Sequence, residues 1–291
     1  MIPRWVSREE FPFVVHTYDS PGGRMAYVDE GKGRPVVFVH GNGSWSFLYR
    51  RLIESLRSTH RCIAVDHLGF GLSDKPPRSD YSPEAHAERL GLLLDELGVT
   101  DATLVLHDFG GPIGLSWAMK NLRSVRSLVL FNTWMWSLKA NPDAVKLFKV
   151  FDNPINRFYY AQLRASPKFF LPILVPDAHE MPKHVLEQYL LPFEEHKSRQ
   201  AAYQMARSLV RSSRWFDSLW SQRELLKDLP MLLLWGENDC LSGTDGLARW
   251  EEAFPLARPV RLEGTGNFAP QDASRRTLIE IRGFLRSISV P

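Results

Sequence analysis

LVLHDFGGPIG, from Leu104 to Gly114, is the stretch on which the reading of this chain turns. Its first residues are apolar throughout, as in a strand buried on both faces of a parallel sheet. Asp108 then stands at a turn, and Gly110 and Gly111 precede a helix expected from Pro112 to Asn121. A strand–turn–helix with small residues just past the turn has the form of a nucleophile elbow, usually written G-x-S-x-G. Here Asp occupies the apex, and position 106 is Leu rather than Gly. The glycines let the backbone turn sharply and approach the helix closely, which pushes the apex side chain into the open. Amides at the start of the helix then offer donors to an anion. A carboxylate so placed can attack carbon directly and form an ester that water later hydrolyses. Asp after a strand is also a common helix N-cap, and the motif alone leaves both readings open.

Working outward, short β-branched runs bounded by turn residues recur at Phe13–Tyr18, Arg24–Asp29, Pro35–His40, Arg61–Asp66, Ala102–His107, Val125–Phe131, Met231–Trp235 and Pro259–Leu262. Amphipathic stretches at Phe47–Arg57, Pro83–Leu97, Pro112–Asn121, Thr244–Phe254 and Ala273–Ile288 fall between them. Strands alternating with helices from about residue 35 argue an α/β fold with a mostly parallel sheet flanked by helices. The first two runs have no helix between them and meet at Gly22-Gly23, so they read as an antiparallel hairpin at one edge. From Trp134 to about Leu229 the rhythm breaks into a segment rich in aromatics and helix formers, including Phe158, Tyr159, Tyr160, Phe169, Phe170, Trp215 and Trp220. A structureless loop of that length is implausible. Residues 134–228 therefore read as a helical cap inserted into a core domain of residues 1–133 and 229–291.

Composition narrows the class. The 291 residues are 44% hydrophobic and 24% charged, an ordinary globular balance. The net charge of +3 is too small to argue for nucleic acid. Cys62 and Cys240 lie outside any CxxC or metal-ligand spacing, so neither a disulfide scaffold nor a metal site is expected. The N-terminal MIPRWVSREEFPFVV lacks the apolar run of a signal peptide, and no segment has the apolar length of a membrane span. A cytoplasmic protein that does not enter membranes is expected. The GKG at 31–33 lacks the spacing of a phosphate loop, so no cofactor is implied. Nothing in the pattern sets an oligomeric state. Nine histidines are present, and the last is His196.

Three further segments fall at expected strand ends. HGNGSWSF (His40–Phe47) follows PVVFV, and DHLGFGLSDKP (Asp66–Pro76) reads as a structural turn braced by Asp66. LLLWGENDCLS sets Asp239 just past a buried strand, where Asp is ordinarily a turn former. With HDxGGPIG and the NTWMW strand end, these segments resemble the haloalkane dehalogenases, α/β-hydrolases with a helical cap, from about Pro12 to Phe284. The resemblance implies an eight-stranded sheet and Asp108 as the nucleophile that displaces halide from a small apolar halogenated substrate. It implies that Asn42 gives a halide-stabilising N–H through its side chain and that Asp239 is the acid of the triad. Asn132 occupies the position where one branch of the family keeps its acid as Glu.

The departures from the family pattern matter equally. The residue after the nucleophile is generally Trp, whose indole N–H is the second halide donor; here it is Phe109, which has no donor. Trp134 and Trp136 are candidates to replace it. HGNP is also altered, with Gly43 in place of proline. In EGTGNFAPQD, the position of the family's general-base histidine is Asn267, and no histidine follows His196. Asn cannot take the proton of an attacking water. The expectation is an enzyme that alkylates itself at Asp108 and hydrolyses the ester slowly or not at all. The alternatives are a non-catalytic hydrolase homologue that binds a small apolar ligand, and an epoxide hydrolase using a tyrosine such as Tyr159, Tyr160, Tyr189 or Tyr203.

Overall fold

The computed structural model describes residues 2–153, 181–194, 196–239, 243–272 and 274–288. Its strands are β1 (Val15–Ser20), β2 (Gly23–Glu30), β3 (Pro35–Val39), β4 (Arg61–Val65), β5 (Ala102–His107), β6 (Val125–Phe131), β7 (Met231–Gly236) and β8 (Arg258–Leu262). They form one 8-stranded sheet in the order β1-β2-β4-β3-β5-β6-β7-β8. Strand β2 pairs antiparallel with both β1 and β4, and the pairings from β4 to β8 are parallel. The Gly22-Gly23 turn closes the edge hairpin with both residues at positive φ, which glycine adopts freely.

The described helices are α1 (Arg50–Leu56), α2 (Pro83–Glu96), α3 (Gly110–Lys120), α4 (Pro142–Asp152), α5 (Lys183–Leu190), α6 (His196–Arg211), α7 (Ser213–Ser221), α8 (Gly243–Ala253), α9 (Ala269–Asp272) and α10 (Ser274–Ser287). Strand alternation divides the core. Val37, Val39, Ile63, Leu104 and Leu106 pack with Leu90, Leu93 and Ile113 of α2 and α3. Val36, Phe38, Ala64, Val105 and Val129 pack with Leu52, Ile53 and Leu56 of α1 and with Ile281 and Phe284 of α10. Each such side chain contributes about 1.5–3 kcal/mol on burial. Ser82 caps α2 by accepting the Ala85 N–H, with Pro83 in the first turn.

Two expected helices begin differently. Helix α3 starts at Gly110 rather than Pro112, because the two glycines are themselves wound into its first turn. The expected Phe47–Arg57 helix opens as a 3₁₀ turn over Ser46–Tyr49 before α1. Between β6 and β7 the described residues carry α4 to α7 and no strand. Phe158, Tyr159, Tyr160, Phe169 and Phe170 lie outside the described residues. Among the described residues, no helix is long and apolar enough to cross a membrane.

Parallel pairing fixes where chemistry can gather. The register sets Val39 opposite Leu106, His107 opposite Phe131, and Phe131 opposite Leu234. The loops after β3, β5, β6 and β7 therefore leave the sheet at one edge. Open α/β sheets bind ligands in the crevice at those strand ends.

Candidate active site

Asp108 follows β5 directly, with φ +52, in the left-handed region. A side-chain-bearing residue there stores about 1–3 kcal/mol of strain and persists only where its surroundings hold it. Its N–H points at the carbonyls of Phe131 (3.4 Å) and Asn132 (3.2 Å), and its C=O accepts from Gly111 N–H (3.0 Å) and the Thr133 hydroxyl (2.6 Å). The neighbouring glycines are required by space. A methyl group at Gly110 would strike the Val39 carbonyl, and one at Gly111 the Thr133 side chain. One at Gly41 would overlap the Asp108 carboxylate itself.

That carboxylate is buried, at 4% exposure. Its Oδ1 accepts the backbone N–H of Asn42 at 2.8 Å, and the backbone N–H of Phe109 also bonds the carboxylate. Burial pushes the Asp108 carboxyl up to about 7, and the nearby Asp239 charge adds to the rise. The two N–H donors oppose both effects. The pair of amides, one from the loop after β3 and one from the residue after the apex, forms a cradle for negative charge.

Asp239 and Asn267 lie at the far side of the same edge, both buried. Asn267 Nδ2 donates to Asp239 Oδ2 at 3.2 Å, and Asn132 Nδ2 donates to the same oxygen at 3.1 Å. Asn132 is fixed by a reciprocal pair with the backbone of Gly236, at 2.9 and 2.8 Å. Asn238 N–H donates to the Thr265 carbonyl at 3.0 Å, tying the loop after β7 to the loop after β8. Behind Asn267, His107 Nε2–H donates to its carbonyl at 2.7 Å. A carbonyl only accepts, so His107 carries its proton on Nε2. Burial lowers the His107 pKa to about 4, keeping the ring neutral.

The aromatic candidates separate. Phe109 is buried and makes an edge contact with Trp134, ring centroids 5.1 Å apart, while Phe216 of α7 lies 6.3 Å from Trp134. The Trp134 indole N–H is buried with no acceptor among the described residues. Trp136 belongs to a different cluster, 5.0 Å from Trp220 and 5.6 Å from Trp250, with the Arg249 guanidinium over its ring at 4.7 Å. The Asn42 side chain donates through Nδ2 to the Ala202 carbonyl of α6 at 3.2 Å. Its backbone is the part bonded to Asp108.

A family model described as the alpha/beta hydrolase fold matches residues 34–272. The chain belongs to the α/β-hydrolase fold family. Haloalkane dehalogenase 2 of Mycobacterium tuberculosis is 35% identical to this hydrolase over 273 residues, covering 91% of this chain and 93% of that protein. A cis-3-alkyl-4-alkyloxetan-2-one decarboxylase of Shewanella oneidensis is 31% identical over 283 residues, covering 94% and 89%. The crystal structure of the haloalkane dehalogenase DatA from Agrobacterium tumefaciens superposes with a TM-score of 0.80 at 25% identity, covering 94% and 97%. Within its family, this hydrolase is haloalkane dehalogenase-like.

Some contributors to the site of this α/β-hydrolase escape the sequence reading. Thr133 and His107 support Asp108 and Asn267 through backbone carbonyls, and such bonds leave no trace in residue type. Asn132 is marked in the sequence by its position at a strand end, where one branch of the resembling family keeps its acid, and not as a partner of Asp239. Its hold on Asp239 comes from the β6–β7 pairing.

Proposed function

We propose that this hydrolase opens carbon–halogen bonds through Asp108, whose carboxylate attacks an alkyl carbon, expels halide and forms an alkyl-enzyme ester. The observation that carries this reading is the buried Asp108 carboxylate, raised on a strained elbow and held by the Asn42 N–H. Attack at carbon needs alignment, desolvation and halide donors, but no base. The Asn42 side chain and the unpaired indole N–H of Trp134 are the candidate halide donors, and Phe109 packs edge-on against Trp134 beside them, while Trp136 stands apart in its own cluster. In this reading the helical segment of residues 134–228 caps a core of residues 1–133 and 229–291. The second half of the reaction differs. Water must lose a proton to attack the ester, and the position beside Asp239 offers an amide that cannot accept it. Ester hydrolysis is therefore slow or blocked.

Incubation with a 1-haloalkane followed by intact-mass measurement tests this. The expected result is a mass increase equal to the alkyl group, absent in Asp108→Ala. Neither adduct nor halide release from the unmodified protein would overturn it, and silence also in Asn267→His would favour a non-catalytic binder.

A second reading is favoured by the same missing proton acceptor and by the oxetanone decarboxylase relatives. Asp108 attack at C4 of a β-lactone breaks the C4–O bond and frees a C3 carboxylate. Loss of CO2 from C3 then forms the C3=C4 double bond and expels Asp108 as its carboxylate. Neither water nor a proton is consumed, so Asn267 is no obstacle. Steady alkene and CO2 release from a cis-3,4-dialkyl oxetan-2-one, with Asp108→Ala inactive, is the expected outcome. Recovery of the lactone unchanged would remove this reading.

A further inference from the structure

The geometry points to His67 as a positioning residue for Asp108, acting through His40 to hold the Asn42 N–H on the carboxylate. His40, Gly41 and Asn42 are consecutive, and only Asn42 touches Asp108 by a hydrogen bond. What fixes the loop is a reciprocal clamp between two buried histidines. The His67 backbone N–H donates to His40 Nε2 at 3.1 Å, and the His67 ring Nε2 meets the His40 carbonyl at 3.1 Å. His40 Nδ1 in turn meets the Gly41 carbonyl at 2.7 Å.

The proton positions follow from the partners. Carbonyls accept only, so His40 carries its proton on Nδ1 and His67 on Nε2, which leaves the His40 Nε2 lone pair for the His67 amide. The two rings pack tilted with centroids 4.5 Å apart, and His86 of α2 packs tilted behind His67 at 4.9 Å. His40 faces His67, His107 and Phe70; His67 faces His40, His86 and Arg89. Burial holds both imidazoles well below the usual histidine range, so both stay neutral while Asp108 titrates.

The clamp reaches the carboxylate because Gly41 has no room to spare against Asp108. A displaced loop lengthens or bends the Asn42 bond, and hydrogen bonds weaken steeply with misalignment. A carboxylate that loses an N–H donor is harder to ionise. Asp239 and Tyr49 are the other titratable groups facing Asp108, and neither lies in the clamp. The catalytic consequence rests on Asp108 being the nucleophile; the effect on its titration does not.

His67→Leu removes the ring donor, and His67→Gln returns an amide N–H within reach of the His40 carbonyl. Asp108 titration is followed by carboxyl carbon NMR, assigned with Asp108→Asn, and alkylation by intact mass with a 1-haloalkane at pH 7. The expected result for His67→Leu is an Asp108 midpoint about one pH unit higher and alkylation about fivefold slower, with His67→Gln restoring most of both. An unmoved midpoint in folded His67→Leu overturns the proposal, and so does slower alkylation that Gln does not rescue. If His67→Leu does not fold, imidazole nitrogen spectra of the unmodified protein decide. Protons on His40 Nδ1 and His67 Nε2 support the clamp, and the opposite tautomer at either ring overturns it. A shifted midpoint in a protein that forms no adduct at all would count against the nucleophile reading and for the clamp.

Discussion

The two sides of the candidate site treat their carboxylates differently. On the β5 side, backbone N–H groups of Asn42 and Phe109 meet Asp108, on a backbone strained enough to project it. On the β7–β8 side, the side-chain amides of Asn132 and Asn267 meet Asp239. Both carboxylates are buried beside donors, and burial raises the Asp108 carboxyl to about 7. Donors that surround a charge stabilise it; they cannot relay a proton. In the proposed reaction the first side makes the bond to carbon, and the second offers no group to take the proton of the water that attacks the ester carbonyl.

The largest expected effect tests the first side. Asp108→Ala abolishes the covalent adduct in intact-mass spectra, and a persisting adduct would show that another residue is alkylated. Next comes the second side. Asn267→His is expected to raise ester turnover by about 10²–10⁴-fold, the usual contribution of a general base, read as halide release. Unchanged release would show that Asp239 and the loop after β8 are not arranged to support a base.

Removing the orphan indole donor should slow alkylation by about 10-fold or somewhat more, the worth of a hydrogen bond to a charged group. In parallel time courses Trp134→Phe shows this loss and Trp136→Phe stays close to the unmodified rate; the reverse order would exchange their roles. The pH dependence is comparable or smaller. Asp108 must be ionised to attack, and its carboxyl titrates at about 7. Alkylation should therefore be about tenfold faster at pH 8 than at pH 6. The same raised value means that ionising Asp108 opposes folding. Its contribution to stability should fall as pH rises from about 4 through about 7, and Asp108→Asn should flatten that part of the stability–pH curve.

Much of the fold was legible because buried strands announce themselves. Ala102–His107 and Val125–Phe131 are β5 and β6 residue for residue. Helix starts were less legible, as at Gly110, where glycine's poor intrinsic helix propensity is overridden by a close approach of backbones. At the site, Asp108 stood out because a charge interrupts an apolar strand end before two glycines. His67 did not, because a histidine in a glycine-rich turn looks like any other loop residue until its ring is found bonded to the His40 carbonyl in the loop after β3.

Sequence by itself determined the sheet, the elbow with aspartate at its apex, and the absence of histidine after His196, because periodicity, glycine spacing and residue type are local properties. Only the tertiary structure decided that the Asn42 backbone, rather than its side chain, meets Asp108, and that two asparagines share Asp239. It also separated Trp134, set against Phe109, from Trp136, set in a tryptophan cluster under Arg249. These outcomes depend on which strand ends become neighbours and on how closely glycine lets two loops approach. Both follow from packing across the whole sheet and have no signature in any single stretch of chain.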